Sequence, residues 1–275
     1  THECSSAASD VYKRQIWIDP SKPVKRALIT HAHMDHFAFG CDEYISTYET
    51  AMILKERIGK EINIKTYDYE REFKINGIKI SFHPSGHILG SSQIKFIFAD
   101  EKWLITGDFK RQKDETCKEY QIVKTDYIIS ESTFGLPIFK WEEPQHIAED
   151  IQKWIHSSQE KTFILFCYSL GKAQRILNEI SKKNFRKKIY THSSIYKMNN
   201  CYKKLGIDII NTDKLENKKY VELADNINDI QYYDILNSGV AEVEFHPVWR
   251  RIYINKQLAY HTVSYTHLRA HETTD

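Results

Sequence analysis

The sequence has no long apolar run and little cysteine, and each absence excludes a class of protein. No stretch approaches the roughly 18 consecutive apolar residues of a membrane-spanning helix, so we expect no membrane as a partner. The five cysteines are odd in number and include no C-x-x-C pair, which disfavours a disulfide framework and a cysteine-based zinc site. With 41% hydrophobic and 28% charged residues, the composition predicts a globular protein of the reducing cytoplasm.

The sequence also lacks an excess of charge of one sign. Lysine and arginine number 39 against 37 aspartate and glutamate residues, which gives a formal net charge of +2. This balance provides no strong overall field for attracting nucleic acid, so any basic surface must be local. We interpret the short basic cluster Lys182–Lys188 as a solvated face in preference to a phosphate-binding surface. The count of histidines, 13, is unusually high.

Both ends of the chain lack hydrophobic periodicity, and we predict that residues 1–15 and 263–275 are non-native tails. Between them, β-branched and aromatic runs alternate with helical patterns, which indicates an α/β fold. Helices are predicted at Tyr48–Gly59, Gln145–His156 and Leu170–Ile180, and strands at Val24–Thr30, Gly77–His83, Ile94–Phe98, Trp103–Thr106, Tyr127–Ser130, Thr162–Phe166, Lys188–Tyr190 and Ile207–Ile210.

Four potential metal ligands occur within six residues at the end of the first predicted strand. His31 and His33 are two residues apart, so in extended backbone their imidazoles point to the same side. Asp35 and His36 follow in the turn beyond and can face a second ion. Imidazole and carboxylate groups suit Zn2+. The alternative is a histidine-rich surface loop, which the preceding buried strand disfavours.

Two later turns offer ligands that could complete such a site. His87 lies in the segment PSGHILGSS, where two glycines let the backbone turn tightly. Asp108 follows a predicted strand in Thr106-Gly107-Asp108, and a carboxylate there could bridge two ions. Each is ordinary for a turn when taken alone, so the order of all these residues is what indicates a metal centre.

The segment His31-Ala32-His33-Met34-Asp35-His36 resembles the H-x-H-x-D-H signature of the metallo-β-lactamase fold. Asp19, in Trp17-Ile18-Asp19-Pro20, is at the position of the family's first motif, His87 at the third and Asp108 at the fourth. The resemblance implies an αββα sandwich with two Zn2+ ions. It implies one ion bound by His31, His33 and His87, another bound by Asp35 and His36, Asp108 between them, and Asp19 orienting the ligands.

Two further segments resemble the β-CASP nuclease branch of this fold. Ser130–Gly135 is similar to the acidic motif of that branch, and Phe166–Arg175 to the first strand and helix of its inserted domain. The set of motifs looks most like the bacterial DNA-ligase-associated exonucleases. This resemblance implies a metallo-β-lactamase domain at residues 16–155 and part of an inserted α/β domain at 156–262, with the likeness fading after about residue 235.

The resemblance implies zinc-dependent hydrolysis of nucleic acid, DNA more than RNA, by a hydroxide held between two metal ions. An ATP-dependent DNA ligase is the implied protein partner. The implied catalytic residues are Asp35, Asp108 and Glu131, and the implied nucleic-acid contacts are Ser169, Lys172 and Arg175. The alternatives are an RNA-processing nuclease of the same branch, a thioester-type hydrolase of small molecules, and a noncatalytic nucleic-acid-binding relative.

The sequence departs from the family pattern in its last part. The family carries a late histidine in a D-H-A-D-like segment and then a metal-binding histidine in a His-Gly turn. Neither occurs here, and His246 and His261 have different neighbours. We therefore expect a sandwich incomplete at its C-terminal end, a second zinc site short of one ligand, and impaired activity.

Overall fold

The computed structural model describes residues 15–59, 61–135, 142–157, 162–215, 230–236 and 239–243. The predicted tails, apart from Gln15, lie outside these residues, as do His246 and His261. The chain divides into two compact units. The first unit contains Thr1–Glu131 and Asn200–Ile207, and the second contains Ser132–Asn199 and Asp208–Asp275.

The first unit contains two β-sheets. One is parallel, with the strand order β1-β2-β3-β4. The other has the order β5-β6-β7-β8-β9 and is antiparallel except for its last pair. The strands are β1 (Trp17–Ile18), β2 (Arg26–Leu28), β3 (Glu43–Ser46), β4 (Ile64–Thr66), β5 (Phe73–Ile75), β6 (Ile78–Pro84), β7 (Ser92–Phe98), β8 (Glu101–Ile105) and β9 (Tyr127–Ile129).

One hydrophobic core joins side chains from both sheets. Leu28 and Ile45 come from the parallel sheet. Ile80 and Phe82 alternate along β6 and bring the second sheet into the same cluster. Burying a side chain as large as Phe82 contributes about 1.5–3 kcal/mol. The mixed α/β fold is therefore confirmed for this unit, and the four-layer sandwich stays a prediction.

The helix α1 (Tyr48–Ile58) begins and ends at the signals that the sequence provides. The hydroxyl of Thr47 accepts a hydrogen bond from the backbone N–H of Thr50 and so caps the first turn. Gly59 ends the helix in a left-handed conformation, with φ +64°. The predicted helix and its stop at this glycine are confirmed.

Predicted strands are found in an alternating run, Gly77–His83 (β6), and also in a short run, Tyr127–Ser130 (β9). The predicted strands Ile94–Phe98 and Trp103–Thr106 correspond to β7 and β8, which pair antiparallel. The short strands β3, β4 and β5 were not predicted. The predicted strand Ile207–Ile210 is wrong, because Ile207 donates its N–H to the carbonyl of Tyr202 at the end of a helix, 3.0 Å away.

The second unit is built from helices and short sheets. Its helices are α2 (Pro144–His156), α3 (Lys172–Ser181) and α4 (Ser193–Lys204), although the residues of α4 from Asn200 onward cluster with the first unit. Its strands are β10 (Thr162–Phe166), β11 (Tyr190–Thr191), β12 (Asp213–Lys214), β13 (Ile230–Leu236) and β14 (Gly239–Val243). Ile151, Ile155 and Ile180 form its core. In the described part of the chain, none of the helices has the length and apolarity needed to cross a membrane.

Candidate metal centre

The predicted metal ligands lie just beyond the ends of strands in the first unit. His31 and His33 follow β2, and His36 ends a short 3-10 turn, Met34–His36. His87 lies in the loop between β6 and β7, and Asp108 follows β8. Pairing of the strands within the two sheets brings these separate loops together.

Three imidazoles converge on one point. The Nε2 atom of His31 lies 2.9 Å from Nδ1 of His33, and Nε2 of His87 lies 3.2 Å from the same Nδ1. Nitrogen ligands about 2.0–2.1 Å from a tetrahedral zinc ion are separated from one another by about 3.3 Å. The spacing of these nitrogens therefore fits a zinc ion held by three histidines.

Asp108 connects this histidine cluster to His36. Its Oδ2 atom lies 3.8 Å from Nε2 of His31 and 3.7 Å from Nε2 of His87. Its other oxygen, Oδ1, lies 3.5 Å from Nε2 of His36. One carboxylate thus faces two sets of nitrogens with its two oxygens, as a bridge between two ions would.

Asp19 contacts the far nitrogen of His36. The carboxylate Oδ2 lies 2.8 Å from Nδ1 of His36, which leaves Nε2 to face Asp108. His31, His36 and Asp19 form a second group of potential ligands, but this contact indicates an orienting role for Asp19. Asp35 lies in neither group of converging atoms; its Oδ2 is 3.8 Å from Nε2 of His36, and its side chain is 60% exposed.

A hydrogen-bond chain fixes the tautomer of His31. The hydroxyl of Thr30 donates to Oδ2 of Asp19 at 2.5 Å and lies 3.0 Å from Nδ1 of His31. Because that hydroxyl gives its proton to the carboxylate, it accepts one from Nδ1 of His31. The lone pair of Nε2 then points into the cluster. Thr30 was not predicted, although its position beside the motif was a signal for it.

The loop that carries His87 is held from several sides. The hydroxyl of Ser91 accepts hydrogen bonds from the backbone N–H groups of His87 and Ile88, both at 3.1 Å. The carbonyl of Gly90 accepts from the hydroxyls of Thr47 at 2.6 Å and Thr50 at 2.8 Å. This loop therefore presents its imidazole from a fixed backbone.

Two more supporting residues come from helices and carry no signal in the sequence. Arg57, in the last turn of α1, donates from Nη1 to the carbonyl of Ala32 at 2.9 Å. Ala32 lies between the predicted ligands His31 and His33, so this bond fixes the peptide that orients them. The buried hydroxyl of Tyr202 accepts from the backbone N–H of Leu89 at 3.4 Å.

The pKa values of the histidines at this site are shifted in two directions. Burial, with the neighbouring imidazoles, lowers the pKa of His31 and His87 well below the usual value, so both are neutral and able to bind a metal. Burial also acts to lower the pKa of His36, but the hydrogen bond and charge of Asp19 outweigh it and raise the pKa to about 9.

The carboxylates at the centre repel one another. Burial raises the pKa of Asp108 to about 6; the charge of His36 opposes this shift, and the charges of Glu131, Asp35 and Asp19 add to it. Oε1 of Glu131 also accepts a hydrogen bond from the backbone N–H of Phe109 at 3.2 Å. A concentration of negative charge is an environment that favours a bound cation.

The predicted nucleic-acid contacts lie in the second unit, at the start of α3. The side chain of Gln174 accepts from the N–H of Gly171 at 2.7 Å and donates to the carbonyl of Ser169 at 3.1 Å. Nζ of Lys172 lies 5.2 Å from the centre of the Tyr168 ring. The loop is well ordered by these bonds, and contact of Ser169, Lys172 and Arg175 with nucleic acid stays a prediction.

The basic cluster Lys182–Lys188 is engaged in ion pairs within the second unit. Lys183 pairs with Glu149 at 2.7 Å, and Lys188 with Asp213 at 2.8 Å. Exposed pairs of this kind contribute little to stability, but they reduce the positive charge available to a phosphate. They support the interpretation of this cluster as a solvated face.

Comparison with known proteins finds relatives that act on nucleic acid. The chain is 29% identical over 195 residues to a protein of Opitutus terrae named "Probable DNA ligase", covering 70% of this chain and 19% of that protein. It is 32% identical over 122 residues to the endoribonuclease YSH1 of Yarrowia lipolytica (42% of this chain, 14% of that one). It is 28% identical over 161 residues to the cleavage and polyadenylation specificity factor 73 of Drosophila melanogaster (55% and 23%).

The chain spans less than a quarter of the length of these relatives. No family model matches the chain.

Proposed function

We propose that this chain, whose motifs resemble those of the β-CASP nucleases and which is similar to an endoribonuclease, hydrolyses phosphodiester bonds in nucleic acid. The observation that carries the proposal is the convergence of His31, His33 and His87 on one point beside Asp108. We propose zinc as the metal, with the three histidines binding a first ion and His36 and Asp35 a second, weaker one. Asp108 faces both positions.

Bound zinc would supply an acidified water and positive charge opposite the phosphate oxygens. The residues of the chain then have separate tasks. Burial keeps His31 and His87 neutral, so their lone pairs are available at neutral pH. Asp19 forms a hydrogen bond with Nδ1 of His36 and so orients Nε2 of this histidine toward Asp108. Glu131 accepts a hydrogen bond from the backbone N–H of Phe109, which fixes the backbone next to Asp108.

DNA is the substrate that we propose in preference to RNA. The relative of Opitutus terrae matches 70% of this chain and is named as a DNA ligase, whereas the endoribonuclease of Yarrowia lipolytica matches 42%. We accordingly propose an exonuclease that prepares DNA ends for repair and works with an ATP-dependent DNA ligase. An RNA-processing role is the competing outcome, which a parallel assay separates.

Zinc titration tests the metal site. We expect the chain to bind zinc tightly at the histidine cluster, and the variant His33→Ala to bind it more than about 100-fold more weakly, since loss of a mere orienting residue already costs about 10- to 100-fold. The exposed His156, changed to Ala, is the matched control. Zinc binding unaffected by His33→Ala would contradict the assignment.

Cleavage assays test the reaction. End-labelled single-stranded DNA and RNA and a small thioester are each incubated with the zinc-loaded chain. We expect phosphodiester cleavage, faster on DNA, and we expect Asp108→Asn to reduce the rate more than about 100-fold. The same substitution at the exposed Asp68 is the control. Full turnover by Asp108→Asn, or hydrolysis of the thioester alone, would refute the proposal.

A further inference from the structure

An exposed aromatic ring lies immediately after the metal ligands. Phe39 is three residues beyond His36 and is 60% exposed. Three residues of extended backbone span at most about 11 Å, so the Cα of Phe39 lies within that distance of the Cα of His36. An apolar ring that the fold leaves in water beside a candidate active site is available to a ligand.

The loop that carries Phe39 has a fixed backbone. The hydroxyl of Tyr44 donates to the carbonyl of Ala38 at 2.7 Å and accepts from the N–H of Cys41 at 3.1 Å. Gly40 has φ +87°, which a residue with a Cβ rarely adopts. The exposed ring is thus presented by a turn that is held on both sides of it.

A buried aromatic pair supports the ring. Phe37 is buried and stacks on Tyr44, with ring centres 4.6 Å apart and an angle of 19° between the planes. Phe39 contacts Phe37 at 5.2 Å in an edge-to-face arrangement, at 87°. This contact restrains the Phe39 ring without covering it, so a ligand need not order the ring when it binds.

We propose that Phe39 is a stacking platform for a nucleobase of single-stranded nucleic acid whose phosphodiester is held at the metal centre; the proposal rests on the proposed function. Every nucleobase has a flat face that stacks on an aromatic ring, whatever its sequence. In a duplex those faces are covered by neighbouring bases, so a platform of this kind selects an unpaired strand. The metal centre cleaves the backbone, and Phe39 holds the base.

The chain offers a matched control in Phe98. It is 58% exposed, nearly the same as Phe39, but it is the last residue of β7. The first residue of that strand, Ser92, contacts the carbonyl of Thr30 near the metal centre. Six strand steps of about 3.3 Å separate Phe98 from Ser92, or about 20 Å.

Binding of two oligomers tests the platform. The zinc-loaded chain is titrated, by fluorescence anisotropy, with a labelled phosphorothioate oligothymidylate, which resists cleavage, and with an abasic oligomer of the same backbone and length. We expect Phe39→Ala to weaken binding of the oligothymidylate about 5- to 150-fold, the equivalent of about 1–3 kcal/mol. Binding of the abasic oligomer should not change.

The controls separate stacking from other effects. Phe39→Trp should bind the oligothymidylate at least as tightly as the unsubstituted chain, and Phe98→Ala should bind it equally well. Unchanged oligothymidylate binding by Phe39→Ala overturns the platform alone, as does an equal loss for both oligomers. If the unsubstituted chain binds neither oligomer and cleaves no strand, the proposed function fails and the platform with it.

Discussion

The loop that positions His87 depends on a glycine, and its replacement gives a calculable loss of stability. Gly86 has φ +72°, and a Cβ added there would lie 2.2 Å from the carbonyl oxygen of Lys110 and 3.1 Å from the backbone N of Tyr120. A left-handed conformation costs a non-glycine residue about 1–2 kcal/mol, and overpacking costs about 1–3 kcal/mol more. We therefore expect Gly86→Ala to destabilise the first unit by about 2–5 kcal/mol.

A second glycine, Gly77, separates the cost of the left-handed conformation from the cost of overpacking. It has φ +85°, but nothing lies within 4 Å of a Cβ added there, so Gly77→Ala should cost only the conformational part, about 1–2 kcal/mol. Hydrogen exchange of the β6 and β7 amides across a urea series measures the opening free energy of this unit for each variant. Equal losses for the two variants would show that the carbonyl of Lys110 does not constrain the loop.

Two further substitutions test buried hydrogen bonds in the first unit. Burial acts to raise the pKa of Asp114, but Lys110 and the hydrogen bonds from Thr116 outweigh it and lower the pKa. The ionised carboxylate therefore stabilises the folded chain at a pH above the pKa of the unfolded state, and this stabilisation is lost as the pH falls through the pKa of the folded state. Asp114→Asn should therefore lower the free energy of unfolding by about 3–5 kcal/mol at neutral pH. The difference in unfolding free energy between the variant and the unsubstituted chain should become smaller below about pH 4. A difference in urea unfolding that does not depend on pH would contradict this. Thr47→Val removes a helix cap and the hydrogen bond to Gly90 and should lower the free energy of unfolding by about 1–3 kcal/mol. Thr47→Ser keeps the hydroxyl and should have a melting temperature close to that of the unsubstituted chain. Equal melting temperatures of the two variants would refute the role of the hydroxyl.

The sequence by itself determined those features of this protein that depend only on residues close together in the chain. The spacing of His31 and His33 predicted that both imidazoles meet, and they do, with 2.9 Å between Nε2 of His31 and Nδ1 of His33; the backbone at residues 30–32 is a bend, however, and not the extended strand that was expected. The stop of α1 at Gly59 follows from the conformational freedom of glycine. The run Ile207–Ile210 shows the limit of such patterns, since a short apolar segment is compatible with a strand and with a buried turn after a helix.

The tertiary structure alone decided which distant groups support those ligands. Asp19 reaches Thr30 and His36 because β1 pairs beside β2, and the register of that pairing is not visible in either segment. Tyr202 reaches Leu89 across 113 positions of sequence. Contacts of this kind depend on how separate strands and helices pack, and so does the approach of His87 and Asp108 to His31 and His33, since these residues lie in separate loops. The sequence predicted that His31, His33, His87 and Asp108 converge, and packing determined what holds them in place.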